Sequence, residues 1–299
     1  MIDGILPIYK EKSYTSHDVV ARLRGILKQK KIGHTGTLDP DATGVLPVCL
    51  GAATRVSDIL STGIKEYRTT MLLGVETDTQ DIGGKVLSTG TADISEDRLK
   101  EAIYSFKGIY MQEPPMYSAI KINGKKLVDL ARQGIEVERK KREVEIIEIE
   151  VERIELPEVD MRVLCSKGTY IRTLCHDIGK TLGTVACMKS LIRTKHDMFK
   201  LSKCISLKEV ENLSKEDLDK HIVKVEDYFS YLNKVEVLEE YHRYAVNKIE
   251  RDFIKQDSEE IKNFKTVRLY SMGLFIGIYE YIAEKKLYKP LKMFYIKDK

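Results

Sequence analysis

What this 299-residue chain lacks narrows its class first. Its five cysteines, Cys49, Cys165, Cys175, Cys187 and Cys204, are odd in number and form no Cys-x-x-Cys pair. Neither a disulfide framework nor a thiolate zinc site is expected from that pattern. The six histidines are not spaced as metal ligands. No apolar run reaches the roughly 20 residues that a membrane-spanning helix needs. No secretory leader is read at the start, because Asp3 interrupts it and no apolar core of signal length follows. Internal repeats and low-complexity tracts are absent too. The expectation is a reduced, soluble, cytoplasmic chain without metal.

Charge of one sign is not in large excess either. Lys and Arg number 50 against 46 Asp and Glu, a net charge of +4 that is modest for a nucleic-acid binder. Distribution says more than the sum. Residues 10–31 carry seven Lys/Arg against Glu11 and Asp18, and residues 121–142 carry eight against Asp129, Glu136 and Glu138. Residues 143–160 then hold eight acidic groups and a single cation, Arg153. An RNA backbone rewards clustered cations and penalises clustered carboxylates. The basic blocks are candidate contact faces and the acidic run a candidate outer face, although ordinary solvated surface would explain the acidic run equally well.

The most distinctive stretch present is Gly33-His34-Thr35-Gly36-Thr37-Leu38-Asp39-Pro40-Asp41-Ala42-Thr43-Gly44. Three glycines, three threonines and a proline predict an irregular loop over 33–44, neither helix nor strand. Pro40 pushes Asp39 into an extended conformation, and the flanking glycines let backbone approach a substrate where a Cβ would collide. A phosphate cradle would need Gly-Lys-Ser/Thr, whereas Val45 and Leu46 follow Gly44. A phospho-aspartate loop of the pump type would need a carboxylate near Gly33 and His34, and none is there. A plain Asx-turn without chemistry is a further possibility. The remaining reading makes Asp39 itself a nucleophile on a stiff loop. Asp41 and Asp78 could complete a two-carboxylate site of the glycosidase kind, but both read better as turn residues.

Length suggests one large domain with a smaller one attached. Residues 16–28 place Val19, Val20, Leu23, Ile26 and Leu27 on one helical stripe with Ser16 as N-cap. Ser95 is expected to cap a second helix that turns Leu99, Ala102, Ile103 and Phe106 inward. Residues 147–152 alternate Ile-Glu-Ile-Glu-Val-Glu and predict a strand wet on one face. Residues 161–166 read as another strand, followed by a helix carrying Ile171, Leu174, Ile178 and Leu182. Residues 205–233 turn polar and helical, and Thr266–Tyr270, Leu274–Tyr279 and Leu291–Ile296 read as strands. Helices and strands in irregular order fit an α+β fold with a mixed sheet.

Residues 33–55, GHTGTLDPDATGVLPVCLGAATR, are similar to the signature of the TruB family of tRNA pseudouridine-55 synthases. Four further blocks resemble that family in the same order. They are Gly4-Ile5-Leu6 with Lys10 and Thr15-Ser16-His17-Asp18; Lys65-Glu66-Tyr67 with Leu73-Gly74 and Thr77-Asp78-Thr79; Gln112 to Ala119 with Lys121; and Ser166 to Leu174. The resemblance implies a pseudouridine synthase fold, largely antiparallel, over residues 1–230, and a small β-rich PUA-like module over 231–299. It implies Asp39 as the nucleophile, Arg172 as the cation that grips it bidentately and keeps it ionised, and Tyr67 as a ring face and proton carrier. His34 would offer a second ring to a flipped base, Leu191 would contact the substrate, and Lys10 would meet the substrate or support the loop. Residues 121–142 would be an RNA-clamping insertion acting through Lys125, Lys126 and Arg132. The implied substrate is uridine 55 in the T arm of tRNA, with no cofactor, metal, guide RNA or membrane involved, and a monomeric enzyme. A non-catalytic tRNA-binding or folding module, and a guide-RNA-dependent relative that shares the loop, are the alternatives. Three places depart from the family pattern: Lys10 is followed by Glu11-Lys12-Ser13 where Lys-Pro-x-Gly is usual, the aromatic residue common near Val128 is absent, and Leu191-Ile192-Arg193 replaces Leu-Arg-Arg.

Overall fold

The period-two signal at 147–152 belongs to a strand more than twice as long, Arg142–Glu155. Val144 and Ile146 are buried, then Ile149, so the inward phase switches from even to odd numbers. A register shift between Ile146 and Glu148 produces that switch. One extra residue at a bulge moves every following side chain to the other face. The glutamates stay outside, where Arg162 pairs with Glu66, Glu148 and Glu150, and Arg153 with Asp160.

The computed structural model describes residues 1–245, 247–256 and 264–294. In chain order the strands of its first part are β1 (Gly4–Lys10), β2 (Ile32–His34), β3 (Thr43–Leu50), β4 (Lys65–Leu73), β5 (Val75–Thr77), β6 (Val86–Thr89) and β7 (Gly108–Gln112). They continue with β8 (Lys121–Ile122), β9 (Lys125–Lys126), β10 (Arg142–Glu155), β11 (Glu158–Cys165), β12 (Ala186–His196) and β13 (Phe199–Lys200). One sheet runs β1-β3-β12-β4-β11-β10-β7, with β2 added to β3 and β13 to β12. Its pairings are antiparallel except where β12 meets β3. The fold is α+β with a mixed, largely antiparallel sheet, as expected.

Helix α1 (Ser16–Leu27) buries Val19, Val20 and Leu23 as the stripe predicts, but its cap is Thr15. Thr15 Oγ1 accepts from the Asp18 amide while the Asp18 carboxylate accepts from the Thr15 amide, a reciprocal capping box. The expected cap, Ser16, is free for another task described below. Ser95 does stand before α3 (Glu96–Tyr104), which follows the short α2 (Ser57–Leu60), although its side chain makes no capping bond. Leu99 and Ile103 of α3 share one core with Met71, Met161 and Val163 of the sheet. Leu174 and Ile178 reach that core from α5 (Ile171–Thr181), which comes after α4 (Leu127–Arg132).

Residues 205–233 hold three short helices, Leu207–Asn212, Lys215–Asp219 and Val225–Tyr228. A five-stranded sheet follows, with β14 (Asn233–Val237), β15 (Ile249–Glu250), β16 (Thr266–Ser271), β17 (Leu274–Ile282) and β18 (Leu287–Met293) in the order β14-β16-β17-β18-β15. The last strand starts earlier than the sequence suggests, because Lys286 adopts the left-handed conformation that closes the turn before it. Its expected end at Tyr295 and Ile296 lies outside the described residues. The second sheet docks on the first: Phe275 and Ile278 pack with Val45, Cys49 and Phe229, and Arg55 Nη1 donates to the Met293 carbonyl at 2.6 Å.

Candidate active site

Gly33 and His34 close β2, and Thr43 and Gly44 open β3, so the irregular stretch is shorter than the composition suggests. Residues 35–42 form the loop, and its stiffness comes from named anchors. The Leu38 amide donates to Ser16 Oγ at 3.0 Å, which is the task that displaces Ser16 from the cap. Leu38 is buried like a plug. The Thr35 amide donates to the Pro47 carbonyl at 3.1 Å, and Arg193 Nη2 to the Gly36 carbonyl at 3.2 Å. Behind Asp39, the Pro40 carbonyl accepts from both the Ser13 amide and Lys10 Nζ, each at 3.0 Å.

Lys10 has no exposed surface, and burial lowers its pKa to about 8. Its ammonium faces the carbonyls of Pro40 and Glu11. That position underlies the loop and leaves no part of Lys10 exposed to the cleft.

Asp39 opens on a cleft of about 410 Å³ that Tyr67, Arg172, Leu191 and Arg193 also line. A space of a few hundred cubic ångströms suits a small planar ligand. Arg172 Nη2 stands 3.5 Å from Asp39 Oδ1, while the same nitrogen donates to the Tyr117 carbonyl at 2.6 Å. Its Nη1 lies 3.4 Å from the Thr79 carbonyl and 3.8 Å from Asp81 Oδ2. The expected bidentate grip is therefore absent, because the guanidinium is divided among four acceptors. Burial pushes the Asp39 carboxyl above the usual carboxylate range, Arg172 works against that, and Asp81 adds to it. Arg172 thus opposes the desolvation of Asp39, the direction expected of a neighbouring guanidinium.

Tyr67 projects from β4 and Leu191 from β12, both into the cleft. His34 is not there. Its ring meets His17 of α1 edge to face at 5.0 Å, and burial lowers its pKa to about 4, so it is neutral. The pairing of β2 with β3 turns it toward α1.

Lys125, Lys126 and Arg132 are exposed around a shallow depression away from the carboxylate. Their segment is an ordered unit: an Asn123-Gly124 turn with both residues at positive φ joins β8 to β9, and α4 follows with Leu127 and Leu130 buried. Asn-Gly is the pair that such a tight hairpin turn favours. Val128 of α4 reaches the cleft, so the stretch that lacks the usual aromatic residue borders it. Arg139, one of the eight cations of residues 121–142, is bound to Glu113 at 2.7 Å and to the Pro114 carbonyl.

Two cleft cations escaped the sequence reading. Arg193 is 1% exposed and Lys65 is almost as deep. Lys65 stood in a recognised block without a role, and its burial lowers its pKa to about 8. Arg193 stood in a stretch read only for the arginine missing before it. Asp81 was not considered, and Asp78 accepts from the Lys85 amide at 2.8 Å, in keeping with its reading as a turn residue.

A family model for the N-terminal domain of TruB family pseudouridylate synthases matches residues 24–171, and one for the C-terminal domain of tRNA pseudouridylate synthase B matches residues 172–230. A tRNA pseudouridine synthase B from Lachnoclostridium phytofermentans is 47% identical over 98% of this chain and 100% of its own length. The chain belongs to the TruB family. Another tRNA pseudouridine synthase B, from Clostridium tetani, is 44% identical over 93% of this chain and 95% of its own. Among solved structures, a chain of a Cbf5-Nop10-Gar1 complex superposes with a TM-score of 0.73 at 27% identity, covering 99% of this chain and 86% of that one. A chain of an H/ACA RNP bound to a substrate RNA containing 2′-deoxyuridine gives 0.71 at 25% identity, with the same coverage. These likenesses place this TruB-family chain in the pseudouridine synthase fold, with the β-rich C-terminal sheet included. Among its described residues no helix is long and apolar enough to cross a membrane, and no group of three or more His, Cys, Asp or Glu side chains could hold a metal ion.

Proposed function

We propose that this chain isomerises uridine 55 in the T arm of tRNA to pseudouridine, with Asp39 as the nucleophile. The observation that carries the reading is one carboxylate, Asp39, facing Arg172, Tyr67 and Leu191 in a single cleft. The reaction detaches uracil from ribose C1′, rotates it and rejoins it through C5. Nothing is oxidised or hydrolysed, so the side chains supply all the chemistry and no cofactor is required.

A uridine inside an RNA arm must first leave its stack, which costs a few kcal/mol. An aromatic wall returns roughly 1–3 kcal/mol per stacked base, and Tyr67 is the ring placed to supply it. Asp39 then attacks as a carboxylate, and the Arg172 guanidinium is the charge that supports this form against burial. Arg172 contacts the reacting group, and Tyr67 carries the proton that must leave for the new carbon–carbon link to be complete. Residues 1–230 form the catalytic part in this reading, 231–299 a PUA-like RNA-binding part, and 121–142 a clamp whose Lys125, Lys126 and Arg132 meet phosphate. The enzyme acts in the cytoplasm as a monomer, on tRNA alone.

The solved relatives in guide-RNA particles motivate the competing reading, in which a guide or partner protein is needed. Purified protein mixed with unmodified T-arm RNA, and nothing else, decides between them. Pseudouridine at position 55 is the expected product, and Asp39→Asn should bind the RNA yet give none. Product that appears only after guide RNA or partner protein is added would overturn the guide-free reading. Substantial single-turnover product from Asp39→Asn would remove Asp39 from its role.

A further inference from the structure

Arg193 is a buried cation for which the catalytic reading so far has no use. It forms no ion pair among the described residues, and both ion pairs at the cleft belong to Arg172. Its Nε donates to the Val45 carbonyl at 2.7 Å and its Nη2 to the Gly36 carbonyl at 3.2 Å. A guanidinium taken out of water without a counter-charge is costly, so its retention calls for a use. Sheet register supplies one. Arg193 of β12 lies directly opposite Tyr67 of β4, and directly opposite Gly44 of β3 on its other side. Cross-strand partners present their side chains on one face, and both Arg193 and Tyr67 line the cleft. Gly44 is what permits the approach, since a Cβ there would sit 2.2 Å from the Arg193 carbonyl oxygen.

We infer that Arg193 is a positioning residue for both parts of the site, its guanidinium fixing the Asp39 loop through Gly36 and favouring the phenolate form of Tyr67 for proton removal from the substrate. The inference rests on the isomerase reading above. Once carbon replaces nitrogen at the glycosidic link, C5 carries both C1′ and its original hydrogen. The C5–H bond then breaks, the phenolate oxygen takes the proton to become a phenol, the C–H electron pair restores the C5=C6 double bond, and the C6=N1 pair moves onto N1, which takes a proton from water. Burial opposes the phenolate, and so do Cys165 of β11 and Asp39 of the loop, whereas Arg193 acts in its favour. Lys65 on the same strand, Arg172 on α5, and Tyr117 and Tyr170 of the wall complete the titratable surroundings. The same guanidinium adds to the lowering of His196, His34 and Lys65, which burial causes in the main, and His17 outweighs it at His34.

The experiment reads Tyr67 directly. Full-length protein is made with difluorotyrosine, a more acidic phenol that titrates nearer neutral pH, and followed by fluorine NMR. The Tyr67 signal is the one lost in Tyr67→Phe. In the wild type it should titrate before Tyr279, which burial alone raises. In Arg193→Gln its midpoint should move up by about 1–3 pH units, the effect of one nearby charge, and Arg193→Lys should restore part of it. Single-turnover isomerisation by Arg193→Gln should show the same alkaline displacement with unchanged affinity for tRNA. A Tyr67 signal that titrates no earlier than Tyr279, or that does not move at all, overturns the inference even if Arg193→Gln fails to fold. Equal loss of rate at every pH would leave Arg193 a loop anchor only and overturn the Tyr67 role. Since the titration needs no turnover, absence of isomerase activity in all proteins would sink the functional reading instead.

Discussion

Replacing Lys10 by methionine removes a buried cation from beneath the Asp39 loop while keeping most of its length. Two effects oppose each other. Hydrogen bonds from a charged donor contribute about 1.5–3 kcal/mol each, and Lys10 Nζ makes two, to Pro40 and Glu11, both at 3.0 Å. Burial, however, lowers its pKa from 10.5 to about 8. At 1.36 kcal/mol per pH unit the charged form is then disfavoured in the folded protein by roughly 3 kcal/mol. The sign of the pH dependence follows. Between about 8 and 10.5 the unfolded chain holds the Lys10 proton more tightly than the folded one, so stability from this residue rises with pH across that window. From about pH 7.5 to about pH 10 the wild type should gain roughly 2 kcal/mol that Lys10→Met does not. Urea unfolding of both proteins at both pH values gives the quantity as a difference of differences, in which the other lysines and the tyrosines cancel. Near neutrality the net loss of stability in Lys10→Met should be small, because lost hydrogen bonds and relieved desolvation are of similar size. Isomerisation should suffer far more, since a displacement of about 1 Å at a reacting group costs on the order of 100-fold. Identical pH responses of the two proteins, within about 0.5 kcal/mol, would refute the account of Lys10 as a desolvated loop support.

Three further outcomes are expected. Arg172→Lys should lower single-turnover isomerisation on the order of 100-fold while tRNA still binds, because one ammonium cannot serve Tyr117, Thr79 and Asp39 together; wild-type rates at all pH values would exclude the pairing role. Gly44→Ala should destabilise the fold by about 1–3 kcal/mol or more, since φ is +108° there and the added carbon would overlap Arg193 backbone; an unchanged urea midpoint would contradict it. Neutralising Lys125, Lys126 and Arg132 together should weaken tRNA binding and flatten its salt dependence by up to about 0.9 log-log units per lost phosphate contact; an unchanged slope, with equal protease sensitivity of residues 121–142 in free and tRNA-bound protein, would count against a clamp.

Elements whose cause is local were legible. The stripe of α1, the alternation in β10 and the apolar positions of α5 all follow from spacing, and the structure places them accordingly. The misreadings arise where a distant residue intervenes. Ser16 is a sound cap candidate by type, yet Leu38, 22 positions away, takes its hydroxyl, and Thr15 caps instead. Gly33 and His34 look like loop by composition, but β3 offers them a pairing edge. The phase change at Ile146 cannot be read from β10 alone, because it is a property of the β10–β11 pair.

The same distinction governs the site. Asp39 announces itself because the residues that shape its loop and the exit from it, Gly36, Pro40 and Gly44, are neighbours in sequence. Arg172 and Tyr67 could be named only through resemblance to a family, since neither position has a local signal. Arg193 has no local signal at all: an arginine in a strand reads as surface, and here it is among the deepest side chains of the protein. What buries it is the parallel contact of β12 with β3, made possible by a glycine some 150 residues earlier that opens β3 just after the Asp39 loop. Gly44 therefore has two functions of which the sequence suggests one. It frees the backbone next to the nucleophile, and it admits the strand that brings a cation under Tyr67. A substitution at Gly44 would accordingly disturb Asp39 and Tyr67 together, and one at Arg193 would reach both as well, the Asp39 loop through the lost bond to Gly36 and the proton-transfer step through Tyr67.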